Sequence, residues 1–239
     1  DIVLIYFALQ SSISHNAGRE IHQRRAVVNQ TPSTFTAPLA WAAACAIALG
    51  SGAARADNFL DHRLGKDTGG IYSLQDGVPI SLGLLAAGCA LWQGTTDRLG
   101  KTCWEAGESG VAAVVAAEAL QFATGRQSPA ATGDPNRWFS GGKGSFPSTH
   151  VSLTTAVVTP FIFQYFHDDP WVGALALLPA YEMVARVKAR EHWQTDVIAG
   201  AALAGAVGAY EAHRDNPLVF SLLPGGAYFH HADSFSMMR

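Results

Sequence analysis

Residues Thr195–Ala212 read TDVIAGAALAGAVGAYEA, and the fold is decided on this stretch. The 14 residues between Asp196 and Glu211 carry no charge and show none of the apolar/polar alternation of a half-buried strand. Gly200, Ala204 and Gly208 stand four apart, so on a helix they form one small-residue face that a neighbouring helix can approach closely. Working outward, the same texture recurs. Trp171–Val187 is an apolar segment, and His150–Phe166 is another, in which Pro160 predicts a kink. Gly110–Phe122 is alanine-rich around Glu118, and Val78–Trp92 ends at Gly94-Thr95-Thr96. No strand pattern precedes Val219 and no solenoid period is present. The expectation is an all-α protein, a helical bundle.

The chain has 239 residues, 49% hydrophobic and 15% charged, with net charge -3. It is long enough for one well-buried domain. No run of lysines and no basic stripe occurs, which excludes nucleic acid as the expected partner. Arg19, Arg24 and Arg25 precede the uncharged stretch Ala37–Leu49, and Ala54-Arg55-Ala56 follows. This order is that of a secretory signal peptide over about 19–56, with an uncleaved membrane helix as the alternative. The reading divides the chain into an N-terminal extension, 1–56, and one helical domain, 57–239, exported and expected in the periplasm. Residues 1–18 fit no part of that scheme and receive no function. Cys89 and Cys103 in the domain are read either as a disulfide or as two buried thiols. The 20 uncharged residues between Asp76 and Asp97 leave both a soluble bundle and a membrane-associated one open.

Two segments carry chemistry. In the first, Arg186 is followed by His192 and Asp196. If helical, His192 and Asp196 share a face, and a carboxylate on one imidazole nitrogen leaves the other as a nucleophile. Arg186 supplies a planar cationic fork suited to phosphate oxygens. In the second, Lys143-Gly144-Ser145-Phe146-Pro147-Ser148-Thr149-His150 opens a helix, with proline and serine placed as at an N-terminus. Free amides there favour an anion, and His150 stands beside them as a general acid. The other histidines, His167, His213, His230 and His231, read as solvated, and the aromatics Phe161, Phe163, Phe166, Trp171 and Tyr181 as core or channel lining.

Together the two segments resemble the type 2 phosphatidic acid phosphatase superfamily, which includes bacterial class A acid phosphatases and vanadium-dependent haloperoxidases. Its second motif, Pro-Ser-Gly-His, is matched by Pro147-Ser148-Thr149-His150. Its third, Ser-Arg followed by spaced His and Asp, is matched by Ala185-Arg186, His192 and Asp196. The resemblance covers roughly Gly77 to Tyr210. Its first motif, a lysine and a later Arg-Pro, is degenerate: Gln121 stands for the lysine and Ser128 for the arginine, ahead of Pro129. Two cationic phosphate ligands are thereby replaced by weaker neutral donors. Lys143 in the loop before the second motif is the expected substitute.

The resemblance implies a helical bundle of the acid phosphatase and vanadium haloperoxidase type. It implies phosphoryl transfer to His192, with His150 protonating the leaving oxygen and Asp196 balancing the imidazole's charge. Arg186, Ser148 and Thr149 would hold the phosphoryl oxygens, with Gln121, Ser128 and Lys143 completing the pocket. This chemistry requires no metal and no cofactor. The implied substrate is a soluble phosphomonoester or a lipid phosphate. The alternatives are a non-catalytic phosphate- or lipid-binding relative and a vanadium-dependent haloperoxidase. The sequence leaves the oligomeric state open.

Overall fold

Asp97 accepts the Gly100 amide at 2.7 Å and so begins a helix well before the expected start at Gly110. A side chain at Gly100 would lie 2.4 Å from the Gly94 carbonyl oxygen, so the turn leading into this helix closes only around glycine. The computed structural model describes residues 60–214, within one compact unit. The signal segment expected at 19–56, its cleavage after Ala56 and the His230-His231 pair lie outside these residues.

A 3₁₀ turn at Gly70–Leu74 leads to α1 (Gly77–Gln93) and then α2 (Arg98–Thr124). A long loop follows, then α3 (Thr149–Tyr165), α4 (Leu177–Lys188) and α5 (Gln194–Ala212). No strand occurs among the described residues, and the expected helical bundle is the fold. The segment expected as one helix from Trp171 is 3₁₀ over Pro170–Ala176, where Asp169 accepts the Trp171 amide at 3.0 Å, and α-helical only from Leu177. Pro160 lies inside α3 without ending it.

The small residues read from α5 lie where α2, α3 and α5 meet. Ala113, Ala156 and Ala204 are fully buried together. A side chain at Gly208 would meet Thr159 Cβ at 2.7 Å, and one at Gly200 would meet the Ser148 carbonyl oxygen at 2.8 Å. Close packing of backbones, more than large side chains, therefore holds the start of α3 against α5. Helix α1 packs through Ala86 against Ala106 and Val157 and is cross-linked to α2 by the Cys89–Cys103 disulfide. The outer face of α1 stays apolar and exposed at Ile80, Leu84, Leu85, Leu91 and Trp92. No helix among the described residues is long and apolar enough to cross a membrane.

Candidate active site

The loop between α2 and α3 is fixed at both ends by backbone bonds. Gly125 ends α2 in the left-handed conformation, and its carbonyl accepts the Ser140 amide at 3.1 Å. Farther along, Gly144 N donates to Gln121 O at 3.0 Å and Ser145 N to Arg126 O at 2.7 Å. A Cβ at Gly144 would lie 2.3 Å from the Arg126 nitrogen, so the loop returns this closely only because residue 144 is glycine. Ser148 then donates its amide to the Asp196 carbonyl at 3.0 Å. The end of α2 and the starts of α3 and α5 thus meet at one point, and the Thr149 and His150 amides open α3 without intrahelical acceptors.

His192 precedes α5 instead of lying on it, because the chain leaves α4 through Arg190 at φ 61. The expected helical pairing with Asp196 is replaced by another arrangement. Nδ1 of His192 is 2.7 Å from the Ser145 carbonyl oxygen and 3.9 Å from Asp196 Oδ2. A carbonyl only accepts, so Nδ1 carries the hydrogen and Nε2 keeps its lone pair. Burial, and then the Arg186 guanidinium, hold the imidazole far below its ordinary range, at about 3. His192 is a neutral, oriented base.

Asp196 occupies the third position of α5 and accepts the Trp193 amide at 2.9 Å, one half of a capping box. Its other oxygen accepts from Arg126 Nη1. Arg126 itself is buried. It also donates to Asp61 Oδ2 at 2.6 Å, Thr195 Oγ1 at 2.7 Å and the Pro135 carbonyl, and it stacks 4.5 Å from the Trp138 ring centroid. Burial raises the proton affinity of Asp196, and Arg126 and the Trp193 amide oppose the rise.

Arg186 ends α4 almost wholly buried, with Nη1 3.0 Å from Asp76 Oδ1 and Nη2 paired to Glu191. Asp76 Oδ1 also lies 3.4 Å from His150 Nε2. Burial and Arg186 lower the proton affinity of His150, and Asp76 works against both. One turn before Arg186, Glu182 is completely buried with both carboxyl oxygens unbonded. Burial pushes that carboxyl up to about 7.

The structure therefore gathers His192, His150, Asp196, Arg186, Ser148 and Thr149, with the buried Ser148 hydroxyl unbonded. Three expected phosphate ligands stand differently. Gln121 donates its side-chain amide to the Pro147 carbonyl at 2.7 Å, leaving an oxygen that repels an anion. Lys143, half exposed, pairs with Glu118 at 2.7 Å, and its charge reaches the site only as a weak push on His150. Ser128 accepts the Ala131 and Thr132 amides in a turn, and no described contact joins its side chain to the histidines. Among the described residues no group of three or more His, Cys, Asp or Glu is arranged to hold a metal ion.

Sequence reasoning missed Asp61, Asp76, Ser145 and Glu191, and it missed that Arg126 faces Asp196. A lone acid ahead of an uncharged helix was a usable signal for Asp76. Ser145 acts through its carbonyl, which no side-chain pattern reveals.

Residues 104–217 match the family model described as the PAP2 superfamily. The match supports the type 2 phosphatidic acid phosphatase superfamily, which the two histidine segments resemble. No curated protein and no solved structure matches it. PAP2 proteins are typically phosphatases, and phosphatase-type chemistry on a phosphorylated small molecule or lipid is what the match supports. The PAP2 match spans α3 to α5 and most of α2, and so includes both histidines, Arg186 and Asp196. It stops short of α1, and Asp61 and Asp76 lie outside it.

Proposed function

We propose that the protein is a phosphatase that passes a phosphoryl group through His192 to water. The observation that carries this reading is the Ser145 carbonyl on His192 Nδ1, which leaves a neutral Nε2 beside Arg186 and His150. In the first step the Nε2 lone pair forms the bond to phosphorus, the bond to the leaving oxygen breaks, and His150 gives that oxygen its proton. In the second, His150 takes a proton from water, the water oxygen attacks phosphorus, and the bond to Nε2 breaks. Asp196 balances the charge on the phosphorylated ring across 3.9 Å. The Arg186 fork, the Ser148 hydroxyl and the Thr149 amide hold the phosphoryl oxygens, the largest share of such catalysis being electrostatic.

The exposed apolar face of α1, which starts directly after Asp76, favours a lipid phosphate presented at a membrane surface over a soluble ester. A resident vanadate cofactor, as the haloperoxidase branch would need, is disfavoured relative to a transiently bound phosphoryl or vanadate ion, because Gln121 and Ser128 supply no cation to retain it. Both terminal nitrogens of Arg186 already face carboxylates, which an arriving anion must displace. That same pairing of Arg186 is what favours the second reading, a phosphate-binding relative without turnover.

The test is phosphate release from p-nitrophenyl phosphate and from a phosphatidate vesicle, in EDTA, with and without orthovanadate. Release that survives chelation, is inhibited by vanadate and disappears in His192→Ala supports the proposal. Acid-labile phosphate trapped on another residue, or activity restored only by a divalent ion, overturns the mechanism. Phosphate binding without release selects the non-catalytic reading.

A further inference from the structure

We propose that Asp76 is a positioning residue of this site, a carboxylate that clamps the general acid His150 to Arg186 and competes with the phosphoryl group for Arg186. The inference rests on the phosphatase reading for its consequences and on geometry for itself. One oxygen, Oδ1, is 3.0 Å from Arg186 Nη1 and 3.4 Å from His150 Nε2, so a single acceptor serves two donors from different helices. Asp76 stands just before α1, and the turn ahead of it is tied to α4 by Tyr181, whose hydroxyl donates to the Ile71 carbonyl at 2.6 Å. The carboxylate is thus delivered to the mouth of the site by a part of the chain outside the PAP2 match.

Two consequences of opposite sign follow. His150 faces Arg186 on α4 and Lys143 on the preceding loop, both of which resist its protonation, and the neutral His192 before α5. Asp76 is the group among its charged neighbours that favours the protonated form a general acid needs. Arg186, in contrast, loses a phosphate-binding donor to Asp76 for as long as the pair holds. Asp76 is 70% exposed, so the pair is screened by water and an arriving phosphoryl group can displace it. Asp76 therefore favours proton delivery and weakens anion binding. A residue that merely supported the fold would alter both in the same direction.

The experiment titrates the His150 imidazole by NMR, assigned with His150→Gln, in the parent, Asp76→Asn and Asp76→Glu, and measures inorganic phosphate affinity in each. In Asp76→Asn, His150 should titrate at lower pH while phosphate binds about two- to fivefold more tightly. Asp76→Glu should move both back toward the parent. Where turnover is measured, the descending limb of the pH–rate profile should shift to lower pH in Asp76→Asn. An unmoved His150 titration, or weaker phosphate binding in Asp76→Asn, overturns the proposal even in an active enzyme. A moved titration with tighter phosphate binding in a protein that releases no phosphate supports the clamp and overturns the phosphatase reading instead.

Discussion

Replacing Glu182 with glutamine keeps the shape of a completely buried side chain and removes its titration. Neither carboxyl oxygen of Glu182 accepts a hydrogen bond, and burial moves its value from the ordinary 4.5 to about 7. Arg186, one turn on, opposes the rise and Asp76 adds to it. A carboxyl whose folded value exceeds its unfolded one stabilises the fold while protonated. That contribution is full below the unfolded value and is lost as pH rises through the folded one, here between 4.5 and about 7. The gap of roughly 2.5 units corresponds to about 3 kcal/mol, most of it lost between pH 5 and pH 8. In Glu182→Gln the new amide adds an unsatisfied donor that costs about 1–3 kcal/mol, but equally at every pH. The test is therefore urea denaturation of parent and variant across that range, followed by tryptophan fluorescence. The difference, variant minus parent, should rise by about 2.5 kcal/mol from pH 5 to pH 8. Asp196 and Glu211, also raised by burial, titrate in both proteins and cancel. A flat difference would refute the reasoning, because it would mean that Glu182 ionises as easily in the fold as in the unfolded chain. The unpartnered Nε of Arg186 would then be its counter-charge.

Arg126→Gln leaves Asp196 and Asp61 without their shared cation and should cost about 3–5 kcal/mol by denaturation, with Arg126→Lys a poor rescue because the fork and the stacking on Trp138 are lost. In Gly200→Ala the new methyl lies 2.8 Å from the Ser148 carbonyl, so stability should fall by about 1–3 kcal/mol and kcat/KM should fall with it. Gly205→Ala, whose nearest neighbour is 3.9 Å away, should leave both nearly unchanged. Reducing the Cys89–Cys103 bridge, which spans 14 residues, should cost about 3 kcal/mol, read as a lower denaturant midpoint in reductant. Turnover should have an acidic optimum: it falls as pH rises through the lowered range of His150, which must be protonated, and falls toward pH 3 as neutral His192 is lost.

Local chemistry was legible in the sequence wherever it was carried by spacing. The small residues of α5 and the apolar helices are properties of neighbours along the chain and reappear in the bundle, although the segment from Trp171 is 3₁₀ before it is α-helical and His192 lies ahead of α5. The pattern misjudged the start of α2, because Glu105 and Glu108 broke its apolar run although both are buried in the fold.

What the sequence alone determined was the helical bundle and the spacing of the two segments that carry His150, Arg186, His192 and Asp196. Which partner each side chain takes was decided only by the tertiary structure. Arg126 could have faced a phosphate, but Asp61, 65 residues away, and Asp196, 70 residues away, take its donors. His192 could have leaned on Asp196, but the return of the loop through Gly144 brings a backbone carbonyl closer. Asp76 reaches Arg186 across 110 residues of chain. Buried charges select their partners by distance and desolvation in three dimensions, and neither quantity is written in the spacing of residues along one chain.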